Sequence, residues 1–186
     1  MDMVRLGKTG LVVPKNGFGA LPVQRVPMEG AVRLLFRAYE GGFRFFDTAR
    51  SYSDSEEKLG EALGSVRKNI YIATKTPAKN GEELKRDLET SLCRLKTDYV
   101  DLYQFHNPAF CPKPGDGSGL YEAMAQAKEE GIVRHIGITN HRLNVAREAI
   151  ESGLYETLQF PFSYLARNRN LLLQGCAMRR IWALSR

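Results

Sequence analysis

The sequence predicts an α/β fold of parallel strands wrapped by helices, most simply a (β/α) barrel. Three observations carry this. Short apolar runs alternate with segments of helical period, and such alternation gives parallel strands with helices outside. The segment Gly17-Phe18-Gly19-Ala20-Leu21-Pro22 begins like a dinucleotide-binding turn but lacks the third glycine. No phosphate-binding P-loop pattern is present either, which favours a barrel over a doubly wound sheet.

The elements follow in order. Val12-Val13 through Gly19 reads as a first short strand. Ala31 to Tyr39 has helical period and is stopped by Gly41-Gly42. Phe43 to Phe46 reads as a buried strand ending at Asp47. Asp54, with Glu57 three residues on, has the pattern of a capping box for a helix to about Leu63. Ile70 to Thr74 is a strand ending at Lys75. Asn80 and Glu83 open an amphipathic helix to Leu95. Tyr99 to Phe105 is a strand ending at His106, and a Pro- and Gly-rich loop follows (Pro108 to Gly119). Leu120 to Glu130 is a helix closed by Gly131. Arg134 to Ile138 is a strand, Val145 to Glu151 a helix closed by Gly153, and Thr157 to Phe160 a sixth strand.

Composition narrows the class of function. Of 186 residues, 43% are hydrophobic and 26% charged, ordinary for a folded soluble chain. No apolar run reaches the ~20 residues of a membrane span, so no membrane partner is expected. The N-terminus lacks the pattern of a secretory signal. Cys93, Cys111 and Cys176 lack metal-ligand spacing and read as reduced thiols of a cytoplasmic protein. The net charge of +6 is concentrated at the C-terminal end. Arg167, Arg169, Arg179, Arg180 and Arg186 follow the last acid, Glu156, leaving 22 basic and 21 acidic residues before them. A nucleic-acid binder carries a basic stripe across its domain, so none is expected here.

In a barrel, chemistry sits at the C-terminal ends of the strands. Three consecutive strands end in Asp47, Lys75 and His106, and Tyr52 lies in the loop after Asp47. Adjacent strands are roughly 5 Å apart, so these four side chains converge on one pocket mouth. A free tyrosine titrates near ~10. A neighbouring Lys75 ammonium favours the phenolate and is expected to lower the Tyr52 value. Asp47 would keep Lys75 charged and in place, and His106 would hydrogen-bond the phenol or orient a carbonyl. The product is a tyrosine proton donor suited to carbonyl reduction. Each residue alone has a plainer reading: a surface lysine, a turn at Asp47-Thr48-Ala49, a loop-capping histidine. Their order and shared location carry the inference. A Schiff-base role for Lys75 would leave Tyr52 and His106 without a task. Phe45, Phe46, Tyr71 and Tyr103 are expected in the core; Phe162 and Tyr164 could reach the pocket mouth.

These residues resemble those of the aldo-keto reductases. The matching segments are Gly42 to Tyr52 (GFRFFDTARSY), Glu56 to Leu63 (EEKLGEAL), Ala73-Thr74-Lys75, Asp98 to His106 (DYVDLYQFH) and Gly137-Ile138-Thr139-Asn140. They occur in the family's order and span about residues 3–165. The resemblance implies a (β/α)8 barrel that reduces aldehydes or ketones with NADPH or NADH, NADP being favoured by family habit. It makes Tyr52 the proton donor and Asp47, Lys75 and His106 its partners. Thr139, Asn140 and Gln159, with Asp47, would hold the cofactor at its nicotinamide end. The wording resembles a branch whose members often carry a C-terminal iron–sulfur domain, but no such cysteine cluster is present, so no iron–sulfur cluster is expected.

The chain departs from the family in length. A (β/α)8 barrel needs eight strands, and about six β/α units are present. Residues 1–165 read as an incomplete barrel and 166–186 as an atypical basic tail. The family's nucleotide-phosphate contacts lie largely after the seventh and eighth strands. This sets up an alternative, a truncated inactive or regulatory fragment, or a chain that self-associates through an exposed barrel edge. Codons legal for Ile181 to Arg186 can spell Met-Gly-Phe-Ile-Ala-Met in another frame, resembling the family's seventh strand. A frameshift between about Leu165 and Met178 is the expectation this raises.

Overall fold

In the computed structural model, residues 2–161 are described. Thirteen principal elements follow: β1 (Met3–Arg5), β2 (Val12–Pro14), β3 (Phe18–Gly19), α1 (Met28–Glu40), β4 (Phe45–Asp47), α2 (Ser55–Leu63), β5 (Tyr71–Thr76), α3 (Gly81–Leu95), β6 (Val100–His106), α4 (Leu120–Glu129), β7 (Val133–Thr139), α5 (Leu143–Ser152) and β8 (Thr157–Gln159). Strands β3 to β8 form one parallel sheet in sequence order, each helix crossing over to the next strand. These six parallel strands and five helices, counted among the described residues, are the β/α alternation expected of an incomplete barrel. The expected tail, the Phe162 and Tyr164 positions and the expected frameshift region lie outside the described residues.

The first strand of the sequence reading divides in two. Val12–Pro14 pairs antiparallel with Met3–Arg5 in a hairpin, and only Phe18–Gly19 enters the parallel sheet. A hairpin needs a local partner, and Met3–Arg5 supplies one that apolar patterning did not reveal. The hairpin turn is fastened to the sheet's far end, where the Lys8 N–H donates to the Glu156 carbonyl at 2.9 Å.

The two expected helix caps have different outcomes. Asn80 Oδ1 accepts from the Glu83 N–H at 2.9 Å, while Glu83 Oε2 accepts from the Lys79 N–H at 2.8 Å, satisfying donors at the start of α3. Asp54 sits at the start of α2 but makes no cap hydrogen bond with its side chain. Its carboxylate instead pairs with the buried Lys58 ammonium at 2.8 Å. A buried cation without a partner is more costly than an uncapped amide, so the ion pair wins.

Alternation along the strands sorts the sheet into two faces. Phe46, Ile72, Tyr103, Phe105, Ile136, Ile138 and Leu158 belong to one buried cluster with Leu35, Leu59, Leu84, Leu88, Met124 and Ile150 from the helices. The opposite face carries Asp47, Ala73, Lys75, Gln104, His106, Gly137, Thr139, Thr157 and Gln159, whose register partners run strand to strand. Of the four aromatic residues expected in the core, Phe46 and Tyr103 are fully buried. Phe45 and Tyr71 are half-buried and pair with each other on the polar-bearing face. No helix among the described residues is long and apolar enough to cross a membrane.

Candidate active site

The C-terminal ends of β4, β5 and β6 deliver three of the four expected side chains to one place. Asp47 ends β4, Lys75 is the penultimate residue of β5, and His106 ends β6. The Lys75 side chain is only 2% exposed, and its ammonium donates to Asp47 Oδ2 at 2.7 Å and to the Thr48 carbonyl at 2.6 Å. Burial pushes the Lys75 pKa down, and the Asp47 carboxylate opposes that shift through charge and hydrogen bond.

Tyr52 reaches the same spot from a tightly wound loop. Its N–H donates to the Ala49 carbonyl at 3.0 Å, and its own carbonyl accepts from the Ser55 N–H at 2.8 Å. Thr48 and Ser55 hydroxyls meet at 2.8 Å, and the Ser55 hydroxyl also donates to the Ala20 carbonyl at 2.9 Å. The Tyr52 ring stands edge-to-face with His106, centroids 5.6 Å apart, and lies 5.1 Å from Lys75 Nζ.

The expected acidification of Tyr52 does not occur in this geometry. Burial raises its pKa, and the Asp47 carboxylate raises it further. The reason lies in the direction of Lys75. Its ammonium points its donors at Asp47 and Thr48 and faces the ring of Tyr52 rather than bonding the phenol oxygen. His106 has its pKa lowered to about 4 by burial, then by the Lys75 and His141 charges. It is therefore a neutral imidazole at neutral pH, able to donate one hydrogen bond.

The residues expected at the cofactor's nicotinamide end form a row on β7 and β8. His106 is in register with Thr139, and Thr139 with Gln159. Thr139 Oγ1 accepts from the Asn107 N–H at 3.2 Å and keeps its own hydroxyl hydrogen to donate. Asn140 is 1% exposed and clamps two loops, donating to the Pro108 carbonyl at 2.8 Å and accepting from the Arg142 N–H at 2.7 Å. The Gln159 carbonyl accepts from the Asn140 N–H at 3.1 Å. Gln159 Oε1 is buried and has no hydrogen-bond partner among the described residues. No cluster of metal-binding side chains occurs among the described residues.

Sequence reasoning missed the polar layer behind the site. Glu56 is buried on the inner face of α2, where its Oε1 accepts from Thr74 Oγ1 at 2.7 Å and its Oε2 from Arg50 Nη1. A signal was available: Glu56 shares the inward stripe of α2 with Leu59, Gly60 and Leu63, an apolar-face position for a carboxylate.

Comparison with known proteins agrees with this fold. The sequence matches the model of the Aldo/keto reductase family over residues 15–180. The uncharacterized oxidoreductase YqkF of Bacillus subtilis is 30% identical over 177 residues, covering 88% of this chain and 56% of its own length. The methylglyoxal reductase DkgB of Salmonella typhi is 34% identical over 148 residues, covering 75% of this chain and 52% of that protein. The chain thus spans about half the length of these curated relatives. The aldo-keto reductase AKR11C1 from Bacillus halodurans, solved in its holo form, superposes with a TM-score of 0.83 at 26% identity, over 99% of this chain and 65% of that one. Fold, order of segments and family match agree, and the chain belongs to the aldo/keto reductase family.

Proposed function

We propose that the chain carries the centre of an NAD(P)H-dependent carbonyl reductase in which Tyr52 is the proton donor. The convergence of Tyr52, His106 and the Lys75–Asp47 pair at three adjacent strand ends carries this reading. A nicotinamide carboxamide fits the row beyond them. The orphaned Gln159 Oε1 would accept from its NH2 group, while the Thr139 hydroxyl and the second Asn140 amide hydrogen are donors for its carbonyl. When bound, the reduced cofactor supplies a hydride, with NADPH the first candidate and NADH the second.

The chain's own groups would do the rest. Tyr52 donates its phenolic proton to the carbonyl oxygen. The neutral His106 orients that oxygen by a hydrogen bond, and the Lys75 cation stabilises the phenolate left behind. Asp47 holds Lys75 where it can do this. Small aldehydes are the substrate class to test first, because a relative is named as a methylglyoxal reductase.

The test is NADPH oxidation with methylglyoxal by the chain and by Tyr52→Phe. Loss of the proton donor should reduce the rate by at least ~100-fold. Equal rates for the two would remove Tyr52 from the mechanism. A second reading draws on the half-length match: a centre that works only when other protein completes the barrel. Activity that rises more steeply than protein concentration, with a matching shift in size, would favour it over a self-sufficient monomer.

A further inference from the structure

We propose that the buried Arg50–Glu56 ion pair is a positioning device that locks the Tyr52 loop to the Lys75 strand and so sets the proton-donor geometry. Its catalytic consequence rests on the functional reading above; its structural content does not. Neither residue has a task in the chemistry just described.

The contacts make the case. Arg50 lies between Asp47 and Tyr52, and its N–H donates to the Lys75 carbonyl at 2.9 Å. Its guanidinium binds Glu56, whose other oxygen accepts from the hydroxyl of Thr74, the residue before Lys75. The loop holding the phenol is therefore fastened to the two strand residues that fix the ammonium. On the far side, Arg94 Nη1 donates to the Ser53 carbonyl at 2.8 Å. Ser53 is in the left-handed region at φ 41°, a conformation that a serine adopts only when held. Tyr52 thus sits in a loop tied down by an arginine on either side.

The charge itself is informative. Glu56 is 1% exposed and the Arg50 side chain 13%, so both ions have given up most of their water. Well-packed apolar residues in place of such a pair are commonly as stable or more stable. What leucines cannot supply is direction: the carboxylate fixes Arg50 and Thr74 at defined angles to each other.

Histidine proton NMR tests this directly. The chain has three histidines, and His106→Asn assigns the His106 signal. Because the Tyr52 ring stands edge-on to His106 at 5.6 Å, that signal carries a ring-current shift that Tyr52→Leu would abolish and so calibrate. Two variants are compared with the parent: Glu56→Gln, and Arg50→Leu with Glu56→Leu. The positioning role predicts that both lose most of the Tyr52-dependent shift, and that the double leucine variant does so while melting as high as the parent. In the carbonyl assay kcat should fall about 10- to 100-fold with KM changed by less than about 3-fold. A His106 signal that stays at the parent position in both variants overturns the proposal, whatever their melting temperatures. A parent chain that reduces no carbonyl refutes the functional reading, and the NMR comparison still decides the positioning role. If Glu56→Gln does not fold, the double variant decides.

Discussion

Replacing Asp47 by Asn should destabilise the fold in a way that alkali repairs. The Lys75 side chain is 2% exposed, and its Nζ has two partners, Asp47 Oδ2 at 2.7 Å and the Thr48 carbonyl at 2.6 Å. Asparagine keeps an oxygen to accept from the ammonium but removes the compensating charge. Breaking a fully buried pair costs about 3–5 kcal/mol. Asp47 is 18% exposed and the hydrogen bond can survive, so about half of that, ~2 kcal/mol, is expected. For a chain of this size that lowers Tm by about 4–8 °C. The pH dependence identifies the cause. Burial already lowers the Lys75 pKa in the folded state, and without Asp47 it falls further. Between the native value and the ordinary lysine value of 10.5 the unfolded chain binds more protons than the folded one, so stability rises with pH. The deficit of Asp47→Asn relative to the parent should therefore shrink as pH is raised from neutral toward 10.5. Lys75→Met, which buries no charge, should show no such recovery. Urea denaturation at a series of pH values measures both, and a deficit that stays constant across the series would refute the reasoning.

Three further outcomes follow from the same structure. Saturating NADPH should raise the melting temperature of the parent, since a ligand at ~100 times its Kd adds about 2.7 kcal/mol, and Gln159→Ala should weaken that rise; a melt indifferent to NADPH would sink the carboxamide site. Gly137→Ala places a Cβ 2.3 Å from Thr157 Oγ1 and 2.9 Å from Gln104 Cγ, so it should cost about 1–3 kcal/mol in urea denaturation, and a neutral result would show that strands β6 to β8 yield to the extra methyl group. Stability should fall in acid in two steps. His106, neutral in the fold down to about 4 against an ordinary 6.5, withdraws its share as pH drops through that interval. Burial opposes ionisation of Glu156, but hydrogen bonds from His135, Lys128 and the Ile136 N–H hold its pKa at about 2, so its share is lost between 4.5 and 2. His106→Asn should flatten the first interval and Glu156→Gln the second; circular dichroism across pH 2 to 7 reads both, and an unchanged profile in either variant removes that residue as the cause.

Strand and helix order was legible in the sequence because the helix stripes and apolar strand runs are strong. The α3 helix begins at the Asn80–Glu83 box and ends at Leu95 as the pattern predicts. Position on a strand end was legible too, since Asp47, Lys75 and His106 each interrupt an apolar run at its C-terminal side. What was not legible is partnership. Nothing local says that Val12–Pro14 pairs with Met3–Arg5, because an exposed hairpin strand needs no apolar alternation. Asp54 met a capping rule and yet serves Lys58, because a tertiary charge outweighs a local amide. The partners of Glu56, Arg50 and Thr74, were not legible because they are separated from it along the chain by the loop and by the rest of the helix.

The largest departure from the sequence reading concerns Tyr52, and it alters how the proposed chemistry must work. A lysine beside a tyrosine suggests a phenol made more acidic before any substrate arrives. The structure shows the reverse, a phenol raised by burial and by Asp47, with Lys75 turned toward its carboxylate. A general acid must still hold its proton when the carbonyl docks, and an upward shift works in that direction. Acidity is then needed only as negative charge develops on the carbonyl oxygen and passes to the phenol. In the proposed chemistry the Lys75 cation, itself buried and fixed 5.1 Å from the ring centroid, would then act on a charge that did not exist before. Fixed charge of this kind favours the transition state over the ground state, because it costs no reorganisation when the reaction occurs. In the proposed chemistry the importance of the Asp47–Lys75 pair would therefore lie in where it holds the cation. On that proposal the loop and strand behind it, tied through Arg50, Glu56 and Thr74, would belong to the same machinery as the four residues at the pocket mouth.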